Sequence, residues 1–94
     1  MFTFQDEEIL KGEKKIRHWQ LKFVGLQSRI DNNLSNIAEQ FEDLLLSLDE
    51  MRIKVEELKN PGNENFEILR VEINEIDNRI EQEFNQIQKK LFTQ

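Results

Sequence analysis

Apolar residues recur in steps of three and four from Ile16 to Leu58, passing through Trp19, Phe23, Leu26, Ile30, Leu34, Ile37, Phe41, Leu44, Leu48, Met51 and Val55. Residues three and four apart stack on one side of an α-helix, so this seam predicts helices packed lengthwise on helices. A second seam runs through Phe66, Leu69, Ile73, Ile76, Ile80, Phe84, Ile87 and Leu91. Between them stands Asn60-Pro61-Gly62-Asn63. Pro61 disfavours helix at the residue before it, and Gly62 and Asn63 tolerate positive φ, so a tight polar turn is expected there. The pattern predicts one all-α domain over residues 1–94, built as an antiparallel, coiled-coil-like helical hairpin. Its first helix is expected at about 13–59, the turn at 60–63 and the second helix at about 64–92. Thr3 and Asp6 have capping-box spacing, and Gly12 follows, so residues 4–11 read as a short separate helical segment.

One stretch divides the possible architectures. The step from Ile30 to Leu34 slips the repeat, and Asp31-Asn32-Asn33 compete for backbone hydrogen bonds. A second helix rising about 1.5 Å per residue ends opposite this stretch. Residues 13–31 then reach past the hairpin, carrying Ile16, Trp19, Phe23, Leu26 and Ile30 as an apolar stripe. A straight first helix is favoured because Gly and Pro are absent at 31–33 and the seam resumes after the slip. It would offer that stripe to another chain. The alternative is a break at 31–33 that folds the segment back into a three-helix bundle. On the straight-helix reading Phe41 faces Phe84 inside the hairpin while Phe23 waits for a partner, so Phe41→Ala should cost more than Phe23→Ala.

Leu46 and Ile53 fall off the first seam, and Ile68 and Val71 off the second. In an antiparallel hairpin Ile53 and Val71 stand level, so these four residues are expected to form a second apolar contact surface. Glu13–Arg17, Glu50–Lys54 and Glu75–Arg79 at i,i+4, with Asp49–Arg52 at i,i+3, read as helix-supporting ion pairs on the solvated side.

Composition narrows the function. A mean hydropathy of −0.70 with 34% charged residues is lean for a self-contained globule and ordinary for helices that share a core. The absence of cysteine excludes disulfides and thiolate metal sites. No apolar run approaches the ~20 residues needed to span a bilayer, and the acidic start Gln5-Asp6-Glu7-Glu8 does not resemble a secretory signal. A soluble cytoplasmic protein is the expectation. His18 has no companion ligand, the serines lie on helical stretches without a glycine-rich elbow, and no phosphate-cradling loop exists. No enzyme, metal or cofactor is expected.

The net charge of −6 is unevenly spread. Lys11, Lys14, Lys15, Arg17 and Lys22 cluster around Trp19, whereas the rest of the chain is acidic, with pI near 4.8. The cluster could contact an anion, although helical spacing spreads it around the axis. Nucleic acid and peripheral membrane are therefore not the expected partners. The residues point to a non-enzymatic interaction module, a subunit or adaptor that packs helices onto other protein helices in a homo-oligomer or hetero-complex. Two rivals remain. One is an acidic, antitoxin-like inhibitor of a basic nucleic-acid-handling protein, and the other a binder of anionic surfaces through residues 11–23.

Overall fold

The computed structural model describes residues 3–30, 35–60 and 65–92. Three helices account for nearly all of them: α1 (Phe4–Gln27), α2 (Ser35–Leu58) and α3 (Phe66–Phe92). Thr3 caps α1 in the expected box. Its hydroxyl accepts from the Asp6 amide at 3.1 Å, and its own amide donates to Asp6 Oδ2 at 3.0 Å. The acids Asp6 and Glu7 in the first turn suit the positive end of the helix dipole.

The helix does not pause at Gly12. It continues through, and Gly12 is a point of close approach between α1 and α2: a Cβ there would lie 2.7 Å from Val55 Cγ2. Gly12 is a packing residue, and the expected separate segment 4–11 is part of α1.

The continuous helix over 13–59 also does not form. The last turn of α1 closes on itself, with the Ser28 hydroxyl donating to the Gly25 carbonyl at 2.8 Å and the Arg29 amide to the Leu26 carbonyl at 3.0 Å. The expected break at 31–33 and the turn at 61–63 lie outside the described residues. Their consequence is plain, since α1 packs on both other helices. Phe23 meets Phe41 at 5.9 Å between ring centroids and Phe84 at 6.3 Å. The fold is the three-helix bundle, with α2 antiparallel to α1 and α3. The physical reason is burial: a straight helix leaves the Ile16–Ile30 stripe in water, whereas folding back removes it at roughly 25 cal/mol per Å².

Trp19, Phe23, Phe41 and Phe84 form an aromatic cluster in the core. Toward the Leu58 end the core turns aliphatic, with Leu44, Met51, Val55, Leu58 and Ile80 almost wholly enclosed. The Trp19 indole N–H is satisfied by Asp77 Oδ1 at 2.7 Å. Among the ion pairs, Asp49–Arg52 forms as expected at 2.8 Å. The partners of the other three expected pairs reach across helices instead. Arg79 binds Glu50 and Lys54 binds Glu72, each at 2.7 Å, and Lys59 binds Glu13 at 3.1 Å.

Candidate interaction surfaces

Fold-back changes what the first apolar stripe can do. Trp19, Phe23 and Leu26 are core residues, and Ile16 and Ile30 pack half-buried against them. The grounds for reading these five as contacts for another chain are gone, because α2 and α3 of the same chain cover them.

Leu46, Ile53, Ile68 and Val71 are exposed, at 50–66% of their surface. They do not make one uninterrupted patch. Lys54 and Glu72, the chain neighbours of Ile53 and Val71, close an ion pair across the α2–α3 seam. Beside it, Arg79 reaches Glu50 and, at 3.4 Å, the Ser47 hydroxyl. A polar seam thus runs between the apolar residues of α2 and those of α3.

The basic cluster is likewise divided. Lys11 is held by Glu8 at 3.5 Å and Glu7 at 3.7 Å. Lys15 donates to Asn74 Oδ1 at 2.6 Å and lies 3.9 Å from Asp77 Oδ2. Lys14, Arg17 and Lys22 are exposed. Lys22 borders a shallow groove between α1 and α3 lined by Leu21, Gly25, Leu26, Arg29 and Phe84. His18 is exposed and sits edge-on to the Trp19 ring, 4.9 Å away. Among the described residues no group of three His, Asp or Glu side chains is placed to hold a metal ion.

A surface that the periodicity did not single out lies between α1 and α2. Gln20, Phe23, Val24 and Gln27 on one side face Phe41, Leu45, Leu48 and Arg52 on the other. The groove continues past Ile30, Ala38 and Glu42. Val24 is 68% exposed on its rim, with Leu21 at 71% one turn before it. Its signal in the sequence is the off-seam Val24 and Leu45, but its existence depends on α1 lying beside α2.

Comparison with known protein families, curated proteins and solved structures finds no match to this chain. The surfaces themselves therefore carry the functional argument. Among the described residues no helix is long and apolar enough to cross a membrane.

Two lysines are perturbed. Hydrogen bonding to Glu72, reinforced by its charge, raises Lys54 above the ordinary lysine value of 10.5. Hydrogen bonds to Glu56 and Glu13 do the same for Lys59. Both lysines join α2 to a neighbouring helix, so they are seam fasteners.

Proposed function

We propose that this chain is a non-enzymatic three-helix interaction module, a subunit or adaptor that packs against other protein in an assembly. The carrying observation is that large aliphatic side chains remain outside a core already closed: Leu21, Val24, Leu46 and Ile53 are each more than half exposed. Isolated exposed aliphatics are ordinary, but Val24 and Leu45 flank a groove whose floor is also apolar. The mode of action is packing through outer helix faces, since the inner seam is already filled.

The acidic-inhibitor reading keeps one supporting observation. Glu42, Asp49, Glu56 and Glu57 are exposed along α2. The anionic-surface reading is weaker, because Lys11 and Lys15 are engaged within the chain.

The lack of cysteine makes a direct test practical. A single cysteine replacing Val24 or Ile53 carries a photo-crosslinker, and Gln82, exposed on α3, is the control position. Adducts to protein from positions 24 or 53, persisting in high salt and absent from position 82, support apolar packing. Adducts that vanish with salt move the reading to the acidic inhibitor. Equal labelling from all three positions removes the interaction surface altogether.

A further inference from the structure

The acids of α1 stop at Glu13 and those of α3 at Glu83. Beyond them, residues 14–29 hold five Lys or Arg and no Asp or Glu, and residues 84–92 hold two and none. These segments are distant in the chain, but α1 and α3 run parallel and bring them together. Trp19 and Phe23 both meet Phe84, at 5.5 and 6.3 Å between ring centroids. The groove between the two helices takes all its lining from these acid-free segments. Leu26 and Phe84, both buried, form its floor, and Leu21, Lys22 and Arg29 on α1 stand across it from Gln88 on α3.

In a chain with nineteen acidic residues to thirteen basic, most cations find a carboxylate. Lys11, Lys15, Lys54, Lys59 and Arg79 all do. Among the described residues no carboxylate lies within ion-pair distance of Lys22 or Arg29, and Arg29 instead stands over the Phe92 ring, 5.3 Å from its centroid. Between these two cations lies Gly25. Glycine weakens a helix interior, and at Gly12 the close fit to Val55 accounts for it. At Gly25 a Cβ would meet nothing within 4 Å, so the α1 lip carries a notch that no described residue fills.

We propose that this groove seats an acidic amphipathic helix of a protein partner. The seat rests on the interaction-module reading and gives the partner a chemistry. Lys22 and Arg29 are seven residues apart, two turns or about 10.5 Å. Carboxylates seven apart on a partner helix repeat at the same distance, and an apolar side chain between them falls over the Gly25 notch. Apolar contact holds the helix, and the two charge pairs fix its register. An anionic bilayer or a nucleic acid fits less well. The chain as a whole carries −6 and is repelled by an extended anionic surface, whereas a helix can place its acids at this groove alone.

Fluorescence anisotropy on the full chain provides the test. The probe is a labelled alanine-based helical peptide with leucine between two glutamates seven residues apart, and the control peptide has lysine in place of both glutamates. The chain should bind the glutamate peptide about tenfold tighter or more. Lys22→Glu with Arg29→Glu should reverse that preference. Both side chains are exposed, and unchanged helicity shows that folding is not the cause. Gly25→Gln fills the notch, and should weaken binding about tenfold while raising the midpoint of urea unfolding. Loss of structure cannot produce those opposite signs. Equal affinity for the two peptides overturns the seat, as does a reversed-charge variant with unreversed preference or a Gly25→Gln variant that binds like wild type. If neither peptide is preferred and wild type, but not the reversed-charge variant, sediments with phosphatidylserine vesicles, the groove takes lipid and the helix is the wrong occupant. If the seat fails while position 53 still gives salt-resistant crosslinks to protein, the interaction-module reading stands. If positions 24 and 53 are silent as well, both fail.

Discussion

Gly12 and Gly25 occupy the same helix, and their surroundings predict opposite responses to one added methyl group. At Gly25 a Cβ would meet nothing within 4 Å. Gly25→Ala should therefore gain up to about 1 kcal/mol from helix propensity and a less disordered unfolded chain. At Gly12 the same methyl lands 2.7 Å from Val55 Cγ2, on a short β-branched side chain with little room to yield. Overpacking there costs roughly 1–3 kcal/mol and outweighs the propensity gain, so Gly12→Ala should lower the midpoint of urea unfolding. Adding Val55→Ala tests the cause: its own cavity penalty should be smaller in the Gly12→Ala background than in the wild-type chain. If both glycine variants shift stability the same way, the close approach of α1 to α2 is not as described. From the chain alone Gly12 resembles an interruption, because the intimacy of two helices is invisible until both are placed.

Among the helices, the informative comparison is between Phe23 on α1 and Phe41 on α2. A straight first helix predicts that Phe41→Ala is the costlier change in the isolated chain. In the bundle Phe23 is 3% exposed and Phe41 7%, and their rings touch. Each truncation should cost about 3–5 kcal/mol, lowering the melting temperature of dilute protein by more than 10 °C on the usual ~4–8 °C per kcal/mol. A Phe23→Ala variant that melts like wild type would return α1 to solvent. The seams themselves were readable because a stripe of Ile, Leu and Phe at helical spacing is forced inward wherever it goes. The end of α1 was not, since Ser28 and Arg29 carry no Gly or Pro stop signal and the helix yields there only because fold-back buries its stripe. The same distinction separates the two sets of contact residues. Leu46, Ile53, Ile68 and Val71 are exposed as their off-seam spacing implies, whereas Trp19, Phe23 and Leu26 changed from surface to core.

For the whole molecule, the fasteners between helices give a pH signature. Lys54 bridges α2 to Glu72 of α3, and Lys59 bridges α2 to Glu13 of α1. Both lysines are raised above 10.5 in the folded chain by these carboxylates, so folding favours the protonated form. Their contribution is fully present below pH 10.5 and is lost as pH rises through the higher folded values. The melting temperature should decline above that point, and less steeply in a Lys54→Met, Lys59→Met variant. Since these pairs are substantially solvated, the difference should be small and should shrink further in high salt. An identical decline in wild type and variant would show that other groups dominate the alkaline limb.

The chain by itself determined that it is helical, which residues share an apolar stripe and, through the Thr3–Asp6 spacing, where the first helix begins. Those properties depend on near neighbours in the chain and on the exclusion of apolar side chains from water. Only the tertiary structure decided how many helices there are, whether Gly12 breaks or packs, and whether Lys54 and Arg79 bind within their helices or across them. Each is a choice between a local arrangement and a distant one that the chain permits equally well. The distant arrangement wins where it buries the Ile16–Ile30 stripe, and that gain exists only once α2 and α3 are beside it.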